Sequence, residues 1–262
     1  MTVAFGGLTA LASVSLSVTT GEVVGVIGPN GAGKTTLFNV ICGFVAPRSG
    51  RIVLDGREMR RMRPHRLAKL GVARTIQGVR LWPGLTVLEN VMAGGQFRER
   101  STLASALVGV PPSSRDEDAL AARAMQVLEQ LDAGDVVHRL PSTLPYAIQK
   151  RVALARALMV EPRFLLLDEP ASGLSEGDLD ALSALLGQLK QRMGILLVEH
   201  HMDLVMSVCD RIVVLDFGEV IATGTPDEVK DNPAVTAAYL GEEVQPHPPR
   251  GPADDSASHA GR

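Results

Sequence analysis

Residues 21–44 read GEVVGVIGPNGAGKTTLFNVICGF, and this stretch decides the fold. Gly21 to Ile27 is a short β-rich run that breaks into a glycine loop. Gly28 to Thr35, GPNGAGKT, fits G-x-x-x-x-G-K-[ST] in full. Glycines let the backbone curl until successive N–H groups point inward at phosphate oxygens. A helix predicted from about Lys34 to Phe44 adds the partial positive charge of its N-terminus. Gly28, Pro29, Asn30, Gly31, Ala32, Gly33, Lys34, Thr35 and Thr36 are therefore the candidate phosphate-binding residues. Lys34 supplies a point charge for β- and γ-phosphates, and Thr35 a hydroxyl for Mg²⁺. The plainer alternative is a chance glycine turn, against which the flanking strand and helix patterns argue.

Working outward, strands and helices keep alternating. Arg51 to Leu54 is a strand closed by an Asp55-Gly56 turn, and Arg163 to Leu167 is a continuous apolar run suited to a strand buried on both faces. Leu179, Leu182, Leu185, Leu186 and Leu189 share one helical face within 178–192. Gly194 to Val198 is a second buried strand, and 212–216 with 219–222 read as a hairpin about Phe217-Gly218. The fold class is α/β: a P-loop NTPase core with a mostly parallel sheet. From about Leu81 to Met159 strand patterning vanishes, while Leu120, Ala124, Val127, Leu128 and Leu131 keep helical spacing and 149–158 is another helix candidate. This block is expected to be a helical subdomain, 81–159, inserted between core segments 1–80 and 160–244. Residues 245–262 carry four prolines and no large apolar side chain, as expected of a disordered tail.

Two acids and a histidine are placed to act at the phosphate site. In RFLLLDEP (163–170), Asp168 emerges at the carboxyl end of its strand, where open α/β sheets bind ligands, and is the natural Mg²⁺ partner. Glu169 follows, displaced toward the γ-phosphate, where a carboxylate can orient and deprotonate water. In GILLVEHH (194–201) a buried strand delivers His200 to the same edge, where an imidazole would hold the γ-phosphate and water in line. A metal held by Glu199, His200 and His201 is the competing reading, but adjacent strand residues point to opposite faces. Gln77, entering the helical block, offers an amide to Mg²⁺ or water. The basic run Arg57, Arg60, Arg61, Arg63, Arg66, Lys69 and Arg74 reads as a solvated helix face ending at Gly71, favoured over contact with membrane headgroups or an acidic partner.

Composition narrows the functions. Acids outnumber bases 29 to 26 and aromatics make up 3%, which argues against a nucleic-acid partner. Two cysteines, Cys42 and Cys209, make no disulfide framework or zinc site. No apolar run has the length of a membrane span, and no secretory leader is apparent, so a soluble chain in a reducing compartment is expected.

The phosphate loop 28–35, Gln77, RVALARAL (151–158), LLLDEP (165–170) and His200 occur in the order found in ABC transporter ATP-binding subunits. The resemblance runs from about residue 4 to residue 243. ARTIQGVRLWPGLTVLENV (73–91), LPYAIQKRVALARAL (144–158), LLVEHHMDLVM (196–206) and GEVIATGTPDEVKDNPAVTAAYLGEE (218–243) look like the branched-chain amino acid importer branch and its urea- and amide-importing relatives. The resemblance implies an ATPase that uses ATP and Mg²⁺. Two such subunits clamp two ATP molecules head to tail, drive two membrane-spanning permease subunits, and are served indirectly by an external solute-binding protein. The chain would then sit at the cytoplasmic face of the membrane.

The resemblance also assigns Phe5 to adenine stacking, residues 171–174 to contact with the opposite subunit, and Leu144, Pro145, Tyr146, Ala147 and Ile148 to the signature segment that meets the partner's ATP. Here the sequence departs from the family, because Ala147 replaces a glycine and Ile148 a glutamine. A Cβ now stands where backbone must approach phosphate, and a polar group is lost. The signature site is expected to be weakened, and a related second ATPase subunit is favoured over a second copy. The family usually begins with a β-strand ahead of the position of Thr2 that is not found here: either the true start lies upstream of Met1 or the first sheet lacks an edge, and the placing of Phe5 against adenine depends on which. Competing readings are an ATP-binding module with weak hydrolysis and a regulatory ATPase without a membrane partner.

Overall fold

The computed structural model describes residues 1–59, 62–75, 78–95 and 114–243. Three sheets form. Strands β1 (Val3–Phe5) and β2 (Leu8–Leu11) make an antiparallel pair, with a further bridge from Thr2 to Ser49. Strand β3 (Val23–Ile27) leads through the glycine loop to helix α1 (Lys34–Ile41), which stops three residues short of the predicted end. Strands β4 (Ile52–Leu54) and β5 (Arg57–Met59) form a small hairpin about Asp55-Gly56, and β6 is Val72–Arg74.

The basic run is a correction. Between β5 and β6 lie two short 3₁₀ turns, Pro64–Arg66 and Ala68–Leu70, instead of a helix. Gly71 ends them with φ 72°. Arg74, counted with the solvated charges, is the last residue of a buried strand.

Helices α2 (Val87–Gly95), α3 (Ser114–Gln130) and α4 (Tyr146–Leu158) pack on one another, and the described residues of 81–159 contain no strand. Thr86 and Glu89 start α2 with a capping box, each bonding the other's backbone N–H. The preceding turn is fixed by the fully buried Asn90. Its side chain accepts from Trp82 N–H and donates to the carbonyls of Trp82, Leu85 and Thr86. The chain then runs through β7 (Phe164–Asp168), α5 (Glu176–Leu189), β8 (Gly194–Val198), α6 (Met202–Val208), β9 (Arg211–Asp216), β10 (Glu219–Gly224), α7 (Pro226–Lys230) and α8 (Pro233–Glu243).

The main sheet has strand order β10-β9-β3-β8-β7-β6, parallel throughout except for β10. Successive residues bury opposite faces. Ile27, Leu165, Leu167, Ile195, Leu197, Ile212 and Val214 pack toward the helical block. Val24, Val26, Leu166, Leu196, Val198, Val213 and Leu215 pack toward α1 and the β1–β2 pair. Both faces being apolar, a one-residue slip gains nothing for polarity but destroys the side-chain fit, and the fit is tight.

Gly25 illustrates this. A Cβ there would lie 2.7 Å from Cys209 Sγ at the end of α6. Burial pushes the Cys209 thiol up to about 12, so it is an inert apolar neighbour. Gly25→Ala is expected to destabilise the chain by about 1–3 kcal/mol through overpacking. The double variant Gly25→Ala/Cys209→Ala should recover much of that loss, measured by chemical denaturation as a coupling of about 0.5 kcal/mol or more.

Candidate functional site

Three strand ends build the site. The loop after β3 opens with Gly28 at φ 149°, where a Cβ would lie 2.0 Å from the Leu215 carbonyl oxygen. Only glycine fits that contact. Gly33, at φ 103°, precedes α1, and a Cβ on it would meet the Ala10 oxygen at 2.7 Å. The back of the loop is thus closed by backbone of β2 and β9. No side chain caps α1, so its first N–H groups face the loop. Lys34 Nζ folds back to donate to the carbonyls of Gly28 (2.6 Å) and Pro29 (2.8 Å). The ammonium is therefore stationed over the loop, as a charge for bound phosphate requires. Ala32 is buried, Asn30 and Thr35 are exposed, and Thr36 is half-buried.

Asp168 ends β7 and is buried beside a partner the sequence did not reveal. Arg74 Nη2 donates to Asp168 Oδ2 at 2.8 Å, and Nη1 donates to Asn39 Oδ1 at 3.1 Å. The guanidinium lies 5.6 Å from the Phe38 ring and 5.9 Å from Phe44. One cation thereby ties α1, β6 and β7 together. Cys42 shares this pocket; burial pushes its thiol up, with Arg74 opposing.

Glu169 has φ 48°, an uncommon backbone state for a side chain other than glycine. Its N–H still donates to Val198 O (2.9 Å), so the β7–β8 ladder continues to the residue where the chain turns. His200 follows β8 with its ring largely exposed, while the neighbouring Glu199 is buried. Glu199 Oε1 accepts from Ala171 N–H (2.6 Å), and Oε2 accepts from the N–H groups of His200 (3.0 Å) and His201 (3.1 Å). Its oxygens are thus committed to backbone.

Phe5 ends β1 with half its surface exposed. In the segment Leu144 to Ile148, Leu144 is buried, Pro145 precedes α4 and Tyr146 is exposed. Ala147 lies in the first turn of α4, and Ile148 packs against the helical-side core. Gln149 Nε2 donates to Leu144 O (2.9 Å), so the neighbouring amide is spent on its own turn. Gln77 lies outside the described residues. Sequence reasoning missed Arg74 and Lys150 as members of the site. A charge at the buried end of ARTIQ was the one available signal for Arg74, and nothing in the sequence singles out Lys150.

The ABC transporter family model matches residues 11–172. The chain belongs to the ABC transporter family. A second model, described as branched-chain amino acid ATP-binding cassette transporter, matches residues 219–245 of this ABC chain. Its relatives include the high-affinity branched-chain amino acid transport ATP-binding protein BraF of Pseudomonas aeruginosa, 42% identical over 92% of this chain and 96% of that one. LivG of Escherichia coli, with the same description, is 40% identical over 91% and 94%. Among solved structures, the ADP conformation of MJ1267, an ATP-binding cassette of an ABC transporter, superposes with a TM-score of 0.79 at 30% identity, covering 92% of this chain and 96% of that one.

The Arg74–Asp168 pair yields a stability prediction for the ABC cassette. Arg74→Met leaves a buried carboxylate unpaired and should cost about 3–5 kcal/mol. Arg74→Met/Asp168→Leu removes both charges and should recover most of it. Denaturant unfolding without nucleotide or divalent cation measures both.

Proposed function

We propose that this ABC cassette hydrolyses ATP to energise uptake of branched-chain amino acids or a similar small polar solute. The observation that most supports this is the gathering of the phosphate loop, Asp168, Glu169 and His200 at one edge of the sheet, behind β3, β7 and β8. The match of residues 219–245 to the branched-chain model and the BraF and LivG descriptions support the solute class.

In this reading Lys34 and the loop N–H groups hold the β- and γ-phosphates, and Phe5 stacks on adenine. Glu169 orients the attacking water and takes its proton as the water oxygen bonds the γ-phosphorus and the bond from that phosphorus to the β–γ bridging oxygen breaks, leaving ADP and inorganic phosphate. His200 keeps the γ-phosphate and water in line. Thr35, Asp168 and Gln77 offer oxygen donors, which suit Mg²⁺, and that ion would neutralise charge on the phosphates. Residues 1–80 and 160–244 form the ATPase core, and 81–159 the helical subdomain.

Among the described residues no helix is long and apolar enough to cross a membrane, so attachment to the cytoplasmic face would run through permease subunits. The ATPase partner is a related subunit. Ala147 in the first turn of α4 and Ile148, half-buried against the core, support that choice, since neither presents the open backbone or the amide of the family pattern.

In the complex assembled with the neighbouring ATPase subunit and permeases, Glu169→Gln should lower ATP turnover at least about 100-fold while ATP binding persists. Turnover at the wild-type rate would remove Glu169 as the base. Lys34→Ala should instead lose ATP binding, read directly with a fluorescent nucleotide. Ala147→Gly/Ile148→Gln should raise turnover of the same complex severalfold; unchanged turnover would count against a weakened signature site.

A further inference from the structure

We propose that Lys150 is a positioning residue, bracing the loop that carries Glu169 against the signature helix α4, so that signature movement reaches Glu169 and His200. The proposal rests on the catalytic reading of Glu169 given above. Lys150 lies on the first turns of α4, and its ammonium reaches across to the backbone of the loop after β7. Nζ donates to the carbonyls of Pro170 (2.6 Å), Ser172 (2.5 Å) and Glu169 (3.4 Å). A lysine has three N–H donors, and three carbonyls of one loop receive them.

The opposite side of the same loop is held by an anion. Ala171 N–H donates to the buried Glu199, whose other oxygen receives the backbone N–H groups of His200 and His201. Residues 169–172 are therefore suspended between a cation that collects carbonyls and an anion that collects an N–H. An ammonium on the carbonyl side and a carboxylate on the N–H side hold the loop between them, and Glu169 keeps its left-handed φ of 48° within that clamp. Tyr146 completes the brace: its ring lies 5.2 Å from Lys150 Nζ, and a Cβ on Gly173 would come within 3.1 Å of it.

The arrangement is selective. Among the described residues Lys150 forms no ion pair, although burial costs the ammonium enough to push its pKa down. A helix-capping or solubilising lysine would have stayed in water. This one gives up part of its hydration for the backbone of one loop, which makes sense where the geometry of that loop matters. Lys150 is also anchored to a rigid element, since Val152, Leu154 and Ala155 of α4 are buried in the core. Tilting α4 thus pulls carbonyls 169–172 directly, and the pull passes through Ala171 to Glu199 and the His200 backbone. The signature segment at the head of α4 and the two residues poised over this chain's own phosphate site then share one linkage.

The test uses Lys150→Met in the full chain and in the assembled transporter. Without nucleotide, amide hydrogen exchange at Ala171 to Leu174 should quicken at least about tenfold relative to wild type, while exchange in β3 and β8 stays unchanged. In the transporter, kcat should fall at least about tenfold with the KM for ATP within about twofold, because the phosphate loop is untouched. Lys150→Arg keeps the cation and its donors and should restore slow exchange and most of kcat. If Lys150→Met does not fold, Lys150→Gln is read in the same way. Unchanged exchange at 171–174, or unchanged kcat in an active complex, overturns the brace. A wild-type complex that never hydrolyses ATP refutes the ATPase reading, and the exchange measurement alone then decides the structural brace.

Discussion

The parallel pairing of β3 with β8 on one side and with β9 on the other is the constraint on which the site depends. Parallel strands all end at one edge, so whatever follows β3, β7 and β8 is delivered to a common place without further instruction. The pairing is long-range and fully buried, and each strand feeds alternate side chains to two separate cores. Register errors are excluded by packing, which is why Gly25 has to be small where Cys209 closes over it.

The glycine loop is not self-sufficient within this frame. Gly28 is pressed against Leu215, and Gly33 and Gly218 both meet the backbone of Ala10. Gly218 N–H donates to Ala32 O, and Ala12 N–H donates to Gly218 O. Two segments distant in sequence, 10–12 and 215–218, close the back of the loop. A phosphate can then be received on the front by N–H groups whose carbonyls are already committed elsewhere.

This division explains what was legible in the sequence. The phosphate loop, the buried strands at 164–168 and 194–198, and the helical block follow from local pattern: a motif with its required flanks, apolar runs of strand length, and spacing of 3.6. Asp168 and Glu169 were legible because a strand end fixes where its last residue goes. The segment 57–74 was misread because charge alone does not distinguish a helix face from short turns leading into a three-residue strand. Arg74 and Lys150 were illegible as site members for a different reason. Their partners, Asp168 and carbonyls 169–172, lie far along the chain, and a cation that bonds backbone leaves no complementary acid to find. The Ala147 and Ile148 departures were legible only against the family pattern.

Three charges around the site, Asp168 and Glu199 buried and Lys150 half-buried, are stabilised in three different ways, and the differences matter for motion. Asp168 is paired with an arginine that also grips Asn39, a rigid fork joining secondary-structure elements. Glu199 accepts from three backbone N–H groups, which ties its position chiefly to loop geometry. Lys150 is satisfied by carbonyls of a loop with a strained residue at its head. The first keeps a carboxylate stationary whatever the helical block does. The second and third can be satisfied only while loop 169–172 holds its shape, so a shift of α4 must either carry the loop along or leave an ammonium without partners. Desolvation makes the second outcome costly, and the loop is the softer element. A rigid carboxylate thus sits beside a movable one, one residue apart on the same strand end.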